Sequence, residues 1–409
     1  MASEELMVLN RRRLLQLFPL ALTGLSRAES GPAVVGRRRA RELGVHIGRM
    51  SPGRWNAITD VPGVEVGHST IIRGSGRMVV GEGPVRTGLT AIWPHRRILE
   101  EYVPCGFDVP NGNGEVTGLH QMAALGILTS PICLTNTSSV GMVYDTLYDL
   151  LPPDDLPAVA PVVGETWDAF LNDIEGRHVQ AEHVRQALDV ASGGLVEEGS
   201  VGGGTGMICY GFKGGIGTAS RELPAPLDGY TVGVLVQANH GIREHLRIDG
   251  VPVGEEILDL RPRPEETGSP NSILMIIATD APLLSHQLDR LARRAVHGLA
   301  KTGSISSNSS GDFALAFSTS NRLRRQDFWR GNTYDLRSIE QFQINPLFVA
   351  AAEATEEAII NALFMATDMV GRDGHRVSAL PLDRTLGILE RYHRISPKSQ
   401  GDGSWQSSI

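Results

Sequence analysis

A chain of 409 residues, 41% hydrophobic and 21% charged, is long enough to bury a sizeable core and too apolar to be disordered throughout. Its 38 basic and 46 acidic side chains give a formal net charge of −8, so no basic surface advertises nucleic-acid binding. Three scattered cysteines (Cys105, Cys133 and Cys209) exclude a disulfide framework and a four-cysteine zinc site, and what remains is a mixed α/β globular protein.

The first thirty residues differ from the rest. Arg11 to Arg13 precede an apolar run from Leu14 to Leu25, broken by Pro19. A basic segment before a short apolar one fits a secretory or twin-arginine signal better than a membrane span, which needs about 20 apolar residues. A non-native or disordered amphipathic leader is the alternative, since no small-x-small cleavage site follows Leu25. Export would place the protein in the periplasm or outside the cell; otherwise it is cytoplasmic. We assign residues 1–40 to this leader, 41–395 to a single domain without a mid-chain linker, and 396–409, rich in Ser, Gly and Gln, to a mobile tail.

Within the domain, Glu165 follows an apolar stretch and suits either a substrate ammonium or the cap of a turn. The glycine-rich run Gly199 to Gly206 lacks a following Gly-Lys-Ser/Thr and the G-x-G-x-x-G spacing, so both nucleotide fingerprints fail. A backbone anion nest stays open there, with a sharp turn or close packing as the simpler reading. Tyr230 to Ala238 reads as a buried strand, and Asn239 at its end could donate to a developing oxyanion. His240 and His245 bracket Glu244 without the zinc-protease spacing, and no G-x-S-x-G elbow occurs. Cys133 and Cys209 have apolar neighbours, which suits packing and not a reactive thiolate.

Arg261 to Pro270 is polar and Pro-rich, and Ile273 to Ala278 is a continuous apolar strand; Asn271-Ser272 lies at the boundary. A serine there can attack the carbonyl before it, pass through an ester and emerge as a new N-terminus. Its Oγ then lies beside an α-amine with a pKa of about 7.7–8.0, suited to a general base. Taken alone, Asn-Ser is also an ordinary turn dipeptide. Asp280 to Pro282 offers a cap for a helix carrying Leu284, Leu288, Leu291 and Ala295 on one face, with Gly303 as its stop. Ser310 and Asp312, just ahead of the apolar run Phe313 to Phe317, could orient a nucleophile's proton, or form a Ser or Asx turn. Pro346 to Val370 reads as a long helix ended by Gly371.

Five segments in order resemble the DmpA/BapA family of self-processing serine aminopeptidases: Asn56 to His68, Gly112 to Gly118, Glu197 to Met207, Val236 to Asn239, and Asn271 onward through Pro282, Ser310 to Asp312 and Ala316 to Thr319. The likeness runs from about Arg41 to about Tyr392. It implies an α/β fold, a four-layer αββα sandwich of the DmpA/ornithine-acetyltransferase type, related to the N-terminal-nucleophile hydrolases but different in connectivity. It further implies that Ser272 is the nucleophile freed by cleavage after Asn271, with Ser310 and Asp312 orienting it. Asn239 would supply an oxyanion donor, and Glu165 would hold the amino group of a small peptide, amide or ester. Trp167 stands where the family often has a Tyr that assists the oxyanion, and Asp312 where some members have Glu. No ligand cluster calls for a metal, no cofactor is expected, the charge gives no sign of nucleic acid and the apolar run is too short for a membrane span; the resemblance implies a homo-oligomer of processed units. Two rivals are an ornithine-acetyltransferase-like acyltransferase, whose nucleophile is typically Thr, and an unprocessed, inactive small-ligand-binding relative.

Overall fold

A computed structural model describes residues 36–152, 155–157, 159–262 and 271–395, so residues 1–35 of the leader, the tail and most of the polar segment before Asn271 lie outside the described residues. Strands β1 (Glu65–Arg73), β2 (Val85–Trp93), β4 (Ile132–Asn136) and β5 (Val162–Thr166) form one sheet in the order β1-β2-β4-β5, parallel only between β4 and β5. A larger sheet runs from Leu323–Arg324 through β3 (Glu101–Gly112), β9 (Ser310–Ser318), β8 (Asn271–Thr279) and β7 (Thr231–Asn239) to β6 (Gly215–Glu222). Along that path only β8 and β9 are parallel. Strands β7 and β9 are buried along their whole length, as is β8 after Asn271. Covering on both faces explains why they read as continuous apolar runs instead of alternating ones.

Helices α1 (Val140–Tyr148) and α2 (Ala181–Asp189) pack on the smaller sheet, and α3 (Ser285–Lys301) and α4 (Asn345–Met365) on the larger. The sheets face each other across one apolar cluster that draws Ile92, Ile132 and Leu134 from the first and Leu235, Leu274 and Phe313 from the second. The result is the αββα sandwich expected from the sequence. Helix α4 is buried almost all round, as a helix between a sheet and another helix must be. It can lie close to α3 because Gly298 has no side chain: a Cβ there would be 2.4 Å from the Ala352 carbonyl oxygen.

Three local expectations are corrected. Residues 36–40, placed in the leader by the sequence, are part of the folded body: Arg39 pairs with Glu198 at 2.7 Å and Arg37 Nη2 donates to the Leu380 carbonyl. Helix α4 stops at Met365, short of Val370, because Ala366 is extended and Met369–Val370 pairs with Arg376–Val377; Gly371 closes that ribbon and not the helix. Asp280 does not cap α3. Its carboxylate accepts the Thr231 amide at 2.8 Å, and Gln287 Oε1 accepts the Leu284 amide at the true helix start. The glycine-rich run is a short 3-10 turn, Gly202–Gly204, wedged where side chains cannot go: a Cβ on Gly203 would be 2.1 Å from Gln237 Oε1 and 2.6 Å from the Leu134 carbonyl oxygen. Close packing accounts for these glycines.

The larger sheet is tied to α4 by ions. Arg221, fully buried on β6, holds Glu357 at 2.7 Å and Glu353 at 3.1 Å; Arg41 and Asn56 also reach Glu357, at 2.8 and 2.6 Å. Burial opposes ionisation of Glu357, but Arg221 and Arg41 outweigh it and hold the carboxyl below its usual value. A lowered folded pKa stabilises the protein above the unfolded value, and that stability is lost as pH falls through the folded one. Glu357→Ala leaves Arg41 without its carboxylate and Arg221 with only Glu353, and is expected to cost about 3–5 kcal/mol at neutral pH, with the difference shrinking in acid. Denaturant unfolding of both proteins at several pH values measures this.

Candidate active site

The site is built where three neighbouring strands of the larger sheet share one row. β-register sets Asn239 beside Ser272 and Ser272 beside Gly311. Side chains alternate along a strand, so Ser272 and Leu274 point to the same face, and Leu274 meets Gly164 of the smaller sheet. Ser272 therefore opens into the space between the sheets. It is 4% exposed, its Oγ donates to the carbonyl of Asn271 at 2.7 Å, and the Gly311 amide donates to Oγ at 3.3 Å.

Asn239 Oδ1 accepts the Ile208 amide at 2.8 Å, and Nδ2 donates to the Trp167 carbonyl at 3.0 Å. An amide nitrogen carries two hydrogens, so one remains for an oxyanion in the same row. Trp167 meets this site through its main chain; its ring packs against Phe170, Leu171, Met369 and Val377.

Ser310 and Asp312 are not in a loop: both belong to β9 and are buried. Ser310 Oγ donates to Asp312 Oδ1 at 2.5 Å. Burial raises the Asp312 pKa, against the hydroxyls of Ser310 and Ser306. In register Ser310 lies beside Asn271 and Asp312 beside Ile273, so strand alternation places the pair on the face opposite Ser272. The pair flanks the backbone of the Asn271–Ser272 bond, and the structure does not bring it to the Ser272 hydroxyl. Asn271, Ser310, His245 and Ile242 border a recess of only about 10 Å³, about one water in size. A surface hollow of about 830 Å³ near Pro346 and Val349 contains none of these residues.

Glu165 lies in β5, in the facing sheet, and caps no turn. Its Oε1 accepts the Glu115 amide at 3.0 Å and its Oε2 accepts the Thr137 hydroxyl. Burial raises its pKa, and those two hydrogen bonds oppose the rise; the Glu115 carboxylate adds to it. Gly114 links the two halves of the site, since a Cβ on it would be 2.9 Å from Glu165 Oε1 and 3.3 Å from Gly311 Cα. A buried carboxylate thus lies near Gly311, whose amide donates to the serine hydroxyl. Sequence reading misses Thr137 and the Gly311 amide as members of this site. Neither carries a pattern of its own, and only the pairing of the two sheets brings them in.

His240, directly after Asn239, is fully buried and kept neutral, its pKa pushed down by burial to about 3; its Nδ1 lies 3.8 Å from Cys209 Sγ. Among the described residues no group of three or more His, Cys, Asp or Glu is placed to hold a metal ion, and no helix is long and apolar enough to cross a membrane.

Residues 56–377 match the model of Peptidase family S58. The beta-peptidyl aminopeptidase BapA of Sphingosinicella xenopeptidilytica is 45% identical over 384 residues, spanning 90% of this chain and 95% of that protein. A Burkholderia sp. beta-aminopeptidase superposes with a TM-score of 0.80 at 47% identity, over 88% of this chain and 100% of that one. The L-aminopeptidase D-Ala-esterase/amidase of Ochrobactrum anthropi, a variant among Ntn hydrolase folds, superposes with a TM-score of 0.81 at 41% identity, over 88% of this chain and 99% of that one. A sandwich of this architecture, matched along most of its length by proteins of one kind, is a hydrolase of the aminopeptidase class, and the chain belongs to peptidase family S58.

Proposed function

We propose that this protein is a self-processing serine aminopeptidase that removes the N-terminal residue of short peptides, amides or esters bearing a free amino group. The observation that carries this reading is the Ser272 hydroxyl, 2.7 Å from the carbonyl oxygen of its own preceding residue at the head of a buried strand. Oγ adds to the Asn271 carbonyl carbon while its proton passes to the Ser272 nitrogen. The C–N bond then breaks to leave an ester, and water hydrolyses that ester to a new carboxylate and a free α-amine on Ser272. Asn239 Nδ2 and the Gly311 amide are the donors available to the oxyanion. Ser310, tied to Asp312, flanks the new α-amine through the backbone and orients it as general base.

In turnover the substrate carbonyl takes the place that the Asn271 carbonyl vacates. The α-amine accepts the Oγ proton, an acyl-enzyme forms on Ser272, and the leaving amine carries the proton away before water completes the cycle. Glu165 receives the substrate ammonium. The likeness to beta-peptidyl aminopeptidases supports including N-terminal β-residues among the substrates. Assembly of processed units into a homo-oligomer remains part of the same proposal.

Wild-type protein on a denaturing gel should give two chains, the smaller beginning at Ser272 by N-terminal sequencing. Ser272→Ala should give one folded chain with hydrolysis at background, because neither ester can form. Any other N-terminus on the small chain, or full activity in the variant, would refute the mechanism.

N-acetylated peptides leave Glu165 without its cation, a desolvation penalty of about 1–3 kcal/mol. They should be at least about tenfold poorer in kcat/KM than free ones, since one decade is about 1.4 kcal/mol. Because the carboxylate must be ionised, kcat/KM for free-amine substrates should fall as pH drops through the raised pKa of Glu165. Glu165→Gln should lower the neutral-pH rate and remove the Glu165 step from the acid side of the profile, leaving only the fall set by protonation of the Ser272 α-amine. Equal turnover of blocked and free peptides by the wild type would reduce Glu165 to a structural residue.

A further inference from the structure

We propose that Gln237 is a positioning residue that fixes the span between the ammonium acceptor and the nucleophile, and with it the length of the N-terminal residue the enzyme accepts. The proposal rests on the aminopeptidase reading of the site. Gln237 precedes Asn239 by two residues on β7, so both side chains leave the same face toward the smaller sheet. Gln237 is fully buried. Its Nε2 donates to the Thr135 carbonyl at 3.0 Å and to the Thr166 hydroxyl at 2.8 Å.

These two acceptors bracket Glu165. In the parallel register of β4 and β5, Thr135 lies beside Glu165, and Thr166 follows it in the chain. Asn239 reaches the next residue, donating to the Trp167 carbonyl. Two adjacent side chains of the nucleophile's sheet thus grip three positions around the ammonium acceptor. Leu274, which lies beside Gln237 in the ladder and two residues after Ser272, abuts Gly164, immediately before Glu165. The sheets cannot close further there, because a Cβ on Gly164 would already be 2.8 Å from Leu274 Cδ1.

The orientation of the amide is settled by its partners. A flip would aim Oε1 at the Thr135 carbonyl, oxygen against oxygen, with no hydrogen between them. As placed, Oε1 is buried with no hydrogen-bond partner, against Gly203. A Leu or Met would fill this volume without leaving an acceptor unpaired. What only the amide supplies is the pair of directional donors into the facing sheet. Apolar packing can hold two sheets together, but it slides; two hydrogen bonds to Thr135 and Thr166 fix the offset. The distance from Glu165 to the carbonyl over Ser272 is what separates an α-amino acyl group from a β-amino one, which is longer by one carbon. A residue that fixes this offset acts on substrates with an amine and is silent toward substrates without one.

The test compares wild type and Gln237→Met, both as the processed protein, on α-aminoacyl and β-aminoacyl p-nitroanilides and on p-nitrophenyl acetate, which has no amine. We expect Gln237→Met to lose about tenfold or more in kcat/KM on the preferred aminoacyl substrate, to change the α-to-β ratio by at least about threefold, and to hydrolyse the acetate within about twofold of wild type. Gln237→Leu, which also fills the volume and lacks the donors, should resemble Met. Should Gln237→Met not fold, Thr166→Val, which removes a partner from the other sheet, is read in its place with the same expected pattern. Equal losses on all three substrates would make Gln237 merely structural, and an unchanged α-to-β ratio would equally overturn the proposal. A wild type that turns over acetylated and free substrates alike would defeat the underlying aminopeptidase reading, a result distinct from either.

Discussion

The chemistry depends on a register. Asn239, Ser272 and Gly311 stand in one row across β7, β8 and β9, so an amide side chain, a hydroxyl and a backbone N–H converge without any loop having to be held in place. Each comes from a strand buried on both faces, where a shift of one residue would turn every apolar side chain to the wrong side. Precision at the site is therefore inherited from the core. The same burial removes water from around the hydroxyl, which strengthens the few polar contacts left there.

The second requirement is a carboxylate in the opposite sheet. Glu165 is nearly dry, and a buried carboxylate is tolerated only with hydrogen-bond donors; Glu115 through its amide and Thr137 through its hydroxyl provide them. Both donors leave the charge itself unneutralised, which sets this residue apart from Glu357, where two arginines complete the pairing. In the proposed function the missing cation is the ammonium of the substrate.

Much of this could be read from residues in order along the chain. Strands β7, β8 and β9 announce themselves as continuous β-branched and apolar runs, and the switch to polar residues at Asn239, Ser272 and Ser310 marks where each ends or begins. Local reading failed where a pattern outlasted its cause. Ala366, Met369 and Val370 extend the period of α4, yet the backbone turns extended at Ala366 and Met369–Val370 pairs with Arg376–Val377. It failed again where partners lie far apart: Gln237 and Thr166 are 71 positions apart, and nothing in either segment names the other. Ser310 and Asp312 were recognisable as a pair but not as lying on the face away from Ser272, because the face of a strand is set by its neighbours' register.

The position of the Asn271–Ser272 bond within the larger sheet has a consequence for the protein's lifetime. Strands β6, β7 and β3 come from residues before the bond, and β8 and β9 from residues after it, with β8 and β9 inserted between β7 and β3. A chain broken there has its two pieces interleaved, and neither can leave without exposing unpaired strand edges on both. Folding of the intact chain is a first-order event. Once broken, the pieces must find each other, and recovery after unfolding becomes dependent on concentration. Under the proposed cleavage, maturation would work as a ratchet: it would convert a molecule that can refold into one that survives by not unfolding, and whose durability is a rate instead of an equilibrium.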